Sequence, residues 1–306
     1  MDYELIIVGG GPAGLSAALS SSYRKMKALV LESGTAGGAL TNKYPWKHVD
    51  EVLGQHEMVG YQIAGKMVEH VRKEGAEVRE NESVEKITKQ NKEFTIESNK
   101  GKYTCKSVIL AIGLGVPRKL GVPGENLNGV VYSLSNPADY SKRNVVVVGG
   151  GDSAVESAVM LSQNNAETTL VHRGEECRAS EKNLKDLSES KVKLMLNTEL
   201  VEVVGSGRVE KVVLVSNKDK QRKELNADAV LLSLGTVSNK AFLESIGIKT
   251  DDKGNVVVDS QQRTNIEGVF AAGDVTGRWV RIPNAIAEGG YAAINAYKYV
   301  KKPYWA

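Results

Sequence analysis

Cysteine is scarce in this chain: Cys105 and Cys177 are the two in 306 residues, far apart in sequence. Two isolated cysteines make no disulfide framework, no C-x-x-C redox motif occurs, and no metal site is read from the sequence. Long apolar runs are missing as well; none approaches the ~18 residues that a membrane-spanning helix needs. The opening residues, Met1-Asp2-Tyr3-Glu4-Leu5, enter a strand pattern at once, without a basic and apolar leader, so the expected location is the cytoplasm. Neither sign of charge dominates. The formal net charge of +3 is too mild for a nucleic-acid footprint and compatible with an acidic protein partner.

What is present is ordinary for a globular protein: 41% hydrophobic and 25% charged residues. The length suits two domains, each able to bury its own core. Glycine is abundant at 31 residues, and much of it falls in clusters next to strand patterns.

Residues 4–8 read as a buried strand, followed by a glycine turn, an apolar helical stretch from Pro12 to Ser22 and a second strand over 27–31. The same unit returns at 144–148, with glycines, a helix from about Ser153 to Gln163 and a strand over 168–171. A repeat this long means duplicated domains rather than a solenoid. Between the two, 93–97 and 107–111 carry strand patterns, and the segment from Gly113 to Gly124, with Pro117 and Pro123, reads as a crossing. A second crossing is expected near Gly235 to Asn239, then a strand over 268–272 and a closing amphipathic helix from about Asn284 to Val300. The expected fold is α/β: two Rossmann-like dinucleotide-binding domains with mainly parallel sheets, the second inserted into the first. The boundaries are 1–115 with 241–306 for the first domain and 116–240 for the second.

Gly9-Gly10-Gly11-Pro12-Ala13-Gly14 fits G-x-G-x-x-G between a strand and a helix. Glycine suits those positions because a Cβ would block the tight turn and the approach of a pyrophosphate to the helix N-terminus. Glu32 ends the following strand, where a carboxylate accepts hydrogen bonds from ribose hydroxyls. The second motif, Gly149-Gly150-Gly151-Asp152-Ser153-Ala154, carries alanine at the last position. The place equivalent to Glu32 holds His172, followed by Arg173, with Arg178 shortly beyond. A carboxylate there would repel a 2′-phosphate, whereas a guanidinium binds it, so NADPH is favoured over NADH.

With Gly273-Asp274 near the end, these features resemble the two-dinucleotide-binding-domain flavoproteins of the thioredoxin reductase branch, over essentially the whole chain. The resemblance implies FAD on the first motif (Gly9, Gly11, Pro12, Ala13, Gly14) with Glu32 on its adenosine ribose, and Asp274 at the ribityl–phosphate region. It implies further FAD contacts from Ser33, Gly38, Ala39, Leu40, Tyr44 and Glu51. Val84, Ala111, Gly113, Gly273, Ile282 and Ala285 complete the implied FAD set. NADPH is implied at Gly149, Gly151, Asp152, Ser153, Ala154, His172, Arg173 and Arg178. The stretch 172–178 is similar to the family's H-R-R-x-x-x-R signature, with Gly174 in place of the second arginine.

Thioredoxin reductases carry C-x-x-C shortly before the second glycine motif; the corresponding residues here are 131–137, Val-Tyr-Ser-Leu-Ser-Asn-Pro. A serine hydroxyl has no disulfide state and cannot relay two electrons by thiol exchange. The segment from Gly37 to Gly54 is similar instead to the ferredoxin–NADP⁺ reductases of the thioredoxin-reductase type, which lack C-x-x-C. There a tyrosine stacks on one flavin face, a role that falls on Tyr44; Ala39 and Glu51 stand where that family has Gln and Asp. That family also carries a C-terminal extension whose aromatic or histidine covers the other flavin face across a dimer, which makes Tyr304 and Trp305 the candidates here. The resemblance implies an FAD-dependent NADPH oxidoreductase, a homodimer, serving ferredoxin or a similar small acidic electron carrier. Two alternatives stay open: a C-x-x-C-less reductase of a disulfide substrate, and a non-catalytic module that binds flavin and NADPH.

Overall fold

The computed structural model describes residues 1–134 and 136–304. Among them are seven α-helices: α1 (Pro12–Tyr23), α2 (Ala39–Asn42), α3 (Gly60–Lys73), α4 (Asp152–Gln163), α5 (Glu181–Glu189), α6 (Lys240–Ser245) and α7 (Ile282–Lys301). The chain divides into two compact units, Met1–Val116 joined by the chain from Val237 onward, and Pro117–Thr236. Residues 116 and 237–240, assigned from the sequence to the second domain, therefore group with the first. The change of unit at Val116 and Val237 falls within the two crossing segments read from the sequence.

The first unit is built on a five-stranded sheet in the order Val269–Ala271, Ser107–Leu110, Leu5–Val8, Ala28–Leu31, Glu77–Arg79. Every pairing in it is parallel. A parallel sheet is covered on both faces, so its strands read as unbroken apolar runs. Alternate residues serve opposite cores. Leu5 and Ile7 join Leu15, Ala18, Ala292 and Ala296 of α1 and α7. Ile6 and Val8 join Phe94, Ile96 and Cys105 of a three-stranded antiparallel sheet.

The second unit repeats the plan. Its parallel sheet runs Lys193–Met195, Glu167–Val171, Asn144–Val148, Ala229–Leu232, Val130–Val131. Val145 and Val147 pack with Val155, Ala158 and Leu161 of α4. Val146 and Val148 face Leu200, Val212 and Leu214 of a second antiparallel sheet, Thr198–Val204, Lys211–Ser216 and Arg222–Asn226. The sheets are thus mainly parallel, as the sequence implies, with an antiparallel layer added to each unit. Among the described residues no helix is long and apolar enough to cross a membrane.

Candidate functional site

The first glycine motif turns from strand to helix at the carboxyl end of the central strand, where doubly wound sheets form their crevice. Gly9 has φ +104°, and a Cβ there would strike the carbonyl of Ala111. A Cβ on Gly14 would strike the carbonyl of Gly9. Gly11 caps α1 without a side-chain hydrogen bond, and Pro12 stands at the first turn. The first N–H groups of that helix are therefore not capped by a side chain of their own N-cap residue. Gly38, φ +60°, begins α2, and a Cβ on it would lie 2.6 Å from Gly11 Cα. Backbone lines the cradle where side chains would fill it.

Glu32 is 7% exposed and already engaged. Its Oε2 accepts from Gly10 N at 2.6 Å, and its Oε1 accepts from Gly34 N at 2.8 Å and Ser33 Oγ at 3.3 Å. A carboxylate has about four lone-pair positions, so acceptor capacity for a ribose hydroxyl remains. Gly273, φ +79°, approaches Ala13 so closely that a Cβ would lie 2.8 Å from the Ala13 Cβ and 3.6 Å from that of Ala285. Asp274 follows, half-buried, with no hydrogen bond to its carboxylate among the described residues. Burial raises its pKa; Lys43 opposes the shift and Glu288 adds to it.

Two residues of this neighbourhood were not singled out in the sequence. Glu288, 6% exposed inside α7, accepts from Gly273 N at 2.8 Å, Thr276 Oγ1 at 3.2 Å and Asn284 Nδ2 at 3.1 Å. It fixes the turn that carries Asp274. Lys43, just past α2, donates from Nζ to Gly115 O at 3.0 Å, and burial lowers its pKa while Asp274 raises it. For Glu288 a signal was present: a lone carboxylate between Ala285 and Gly289 on an apolar helix face.

The remaining FAD candidates are placed unevenly. Leu40, Ala111 and Ala285 are buried, Ala39 is half-buried and Ser33 is exposed. Gly113, φ +65°, has open space where its Cβ would stand. Ile282, at the start of α7, packs on Leu40, Val49, Ile63 and Ala64. Val84 begins a strand of the antiparallel layer and packs into the second core of the unit. Tyr44 is 39% exposed, with its N–H on Ala39 O at 2.8 Å. Glu51 pairs with Arg281, Oε2 to Nε 3.1 Å, at the residue that caps α7. Tyr304 is fully exposed, and Trp305 lies outside the described residues.

In the second unit, Gly149 at φ +152° abuts the carbonyl of Ser233, and Gly151 caps α4 with open space around it. Ala154 is buried, and Ser153 lies in the first turn. Asp152 Oδ1 accepts from Ser180 N at 2.8 Å and Asn183 Nδ2 at 2.6 Å, which ties α4 to the start of α5. Arg178 N donates to Gly150 O at 2.6 Å, bringing the 172–178 loop onto the glycine motif. The His172 ring fills the space that a Cβ on Gly150 would take, and a Cβ on Gly174 would lie 2.7 Å from His172 Nε2. Glycine at 174 thus makes room for that imidazole. Burial, then Arg173 and Arg178, lower the His172 pKa and disfavour the charged imidazole, and both guanidinium groups are exposed.

Neither cysteine lies in a dithiol. Both are free and buried. Burial pushes the Cys105 thiol up to about 12 and raises that of Cys177. Among the described residues no cluster of His, Cys, Asp and Glu suits a metal ion.

The comparisons agree with this geometry. Residues 3–289 match the family model described as pyridine nucleotide-disulphide oxidoreductase. A ferredoxin–NADP reductase of Ignicoccus hospitalis is 33% identical over 99% of both chains. A thioredoxin reductase of Listeria innocua is 37% identical over 98% of this chain and 94% of its own. Among solved structures, Lactococcus lactis thioredoxin reductase in its FR conformation superposes with a TM-score of 0.88 at 31% identity, covering 98% of this chain and all of that one.

Proposed function

This chain belongs to the pyridine nucleotide-disulphide oxidoreductase family, and from that premise we propose that it is an FAD-dependent NADPH oxidoreductase whose acceptor is a one-electron carrier such as ferredoxin. The observation that carries the choice of acceptor is the state of the thiols. Relatives bear both names, ferredoxin–NADP reductase and thioredoxin reductase. A disulfide relay needs two neighbouring, reachable cysteines. Cys105 and Cys177 are buried, and each has its thiolate disfavoured by burial.

In this reading the first unit holds FAD. The capless start of α1 and its glycines admit the diphosphate, Glu32 takes the adenosine ribose, and Asp274 offers an unfilled acceptor. The second unit holds NADPH on Gly149–Ala154, with Arg173 and Arg178 as the cations for the 2′-phosphate. When bound, FAD supplies the redox chemistry, taking two electrons from NADPH and releasing them singly. The chain contributes placement and charge. Glu288 holds the Asp274 turn, Tyr44 is the candidate to stack on the ring, and α7 starts with N–H groups that no side chain of its N-cap residue caps. A homodimer in the cytoplasm is part of the same proposal.

The test is steady-state NADPH oxidation by the purified protein with ferredoxin, flavodoxin, thioredoxin and low-molecular-weight disulfides in turn. Turnover with ferredoxin or flavodoxin and none with disulfides is expected; the reverse order would refute the choice of acceptor.

A further inference from the structure

The FAD cradle brings together three ionisable groups from three elements. Asp274 sits on the turn Gly273–Thr276, half-buried and without a hydrogen bond to its carboxylate among the described residues. Glu288, from α7, lies beneath it, its carboxylate taken by Gly273 N, Thr276 Oγ1 and Asn284 Nδ2. Lys43, at the end of α2, is half-buried, its ammonium held on the Gly115 carbonyl at 3.0 Å. These groups act on one another: Lys43 favours the charged form of Asp274, and Glu288 disfavours it. No ion pair or hydrogen bond joins Lys43 to Asp274 among the described residues, so the attraction acts through space.

Two carboxylates and one ammonium leave the cradle negative where an anionic diphosphate is to bind. Like charges in a partly desolvated site repel more strongly than in water. An ammonium at this place offsets that repulsion, and the Gly115 carbonyl keeps it from swinging into solvent. On the FAD reading above, we propose that Lys43 is a cofactor-positioning residue: its ammonium, anchored on Gly115 O and within electrostatic reach of Asp274, offsets part of the cradle's negative charge so that it accepts the FAD diphosphate.

The carbonyl bond and the charge are separable. Lys43→Gln keeps a donor for Gly115 O without charge, Lys43→Met keeps the stem alone, and Lys43→Arg keeps the cation. The dissociation constant of FAD from apoprotein is read by quenching of flavin fluorescence at low ionic strength, where charge effects are least screened. Met and Gln variants are expected to bind FAD at least about ten-fold more weakly than wild type, and Arg within about three-fold, as loss of a charge-assisted contact implies. Asp274→Asn added to Lys43→Met removes the repulsion and shrinks the deficit. Full recovery by Gln, or a Met variant as tight as wild type, overturns the proposal, and so does a deficit that Asp274→Asn leaves unchanged. Failure of wild-type apoprotein to take up FAD removes the FAD reading itself, and this inference with it.

Discussion

Gly289 of α7 lies directly against the backbone of Ala13 in the first turn of α1. A Cβ at 289 would strike the Ala13 carbonyl and come within 2.9 Å of its Cα. The closing helix thereby presses on the glycine motif at the other end of the chain, and the same helix supplies Glu288 to the Asp274 turn.

Gly289→Ala is therefore expected to separate the two helices. Overpacking of this kind costs about 1–3 kcal/mol, and more where backbone is struck. Denaturant titration should show the loss, accompanied by weaker FAD retention. Gly290→Ala, where the nearest atom to a new Cβ is Ser16 Oγ at 3.5 Å, is the control and should be nearly neutral.

Glu32→Gln should release FAD. It removes the charge proposed for the adenosine ribose and disturbs the acceptor that holds Gly10 and Gly34 N–H. Hydrogen bonds to charged groups contribute about 1.5–3 kcal/mol, so the dissociation constant should rise roughly ten- to a hundred-fold. Equilibrium dialysis of the purified variant measures this directly.

Arg173→Ala should raise the apparent KM for NADPH about ten-fold or more, by the same range of charged hydrogen-bond energies, while leaving NADH little changed. Equal losses with both cofactors would mean that Arg173 does not read the 2′-phosphate.

The thiols give a pH-dependent test. The thiolate is the reactive form, and burial raises the pKa of both cysteines, that of Cys105 to about 12. Native protein at about pH 8 should therefore react slowly with an aromatic disulfide reagent, while denatured protein, with thiols near their ordinary pKa of about 8.5, should release two equivalents at once.

The glycine motifs and the parallel strands beside them were legible because their signals are local: an unbroken apolar run, a glycine turn and a helix lie within one short stretch. Glu32 and the pair Arg173 and Arg178 follow at fixed distances from those turns. The antiparallel layers were less legible, because Thr198–Val204 and its partners alternate only partly and carry charges on exposed positions. Lys43 and Glu288 escaped notice for a different reason. Their importance comes from Gly115, Gly273 and Asp274, residues that only the folded chain brings beside them. Gly174 looked like a lost arginine; the structure shows instead the space that the His172 ring requires.

The central claim is that electrons leave this protein without passing through a thiol. Its most direct test is the rate of ferredoxin reduction by NADPH with wild type and with Cys105→Ser and Cys177→Ser combined, each shown to carry FAD. Equal turnover in the two proteins is predicted. Loss of acceptor reduction in the cysteine-free protein, with its flavin still bleached by NADPH, would contradict the account and restore a thiol to the path.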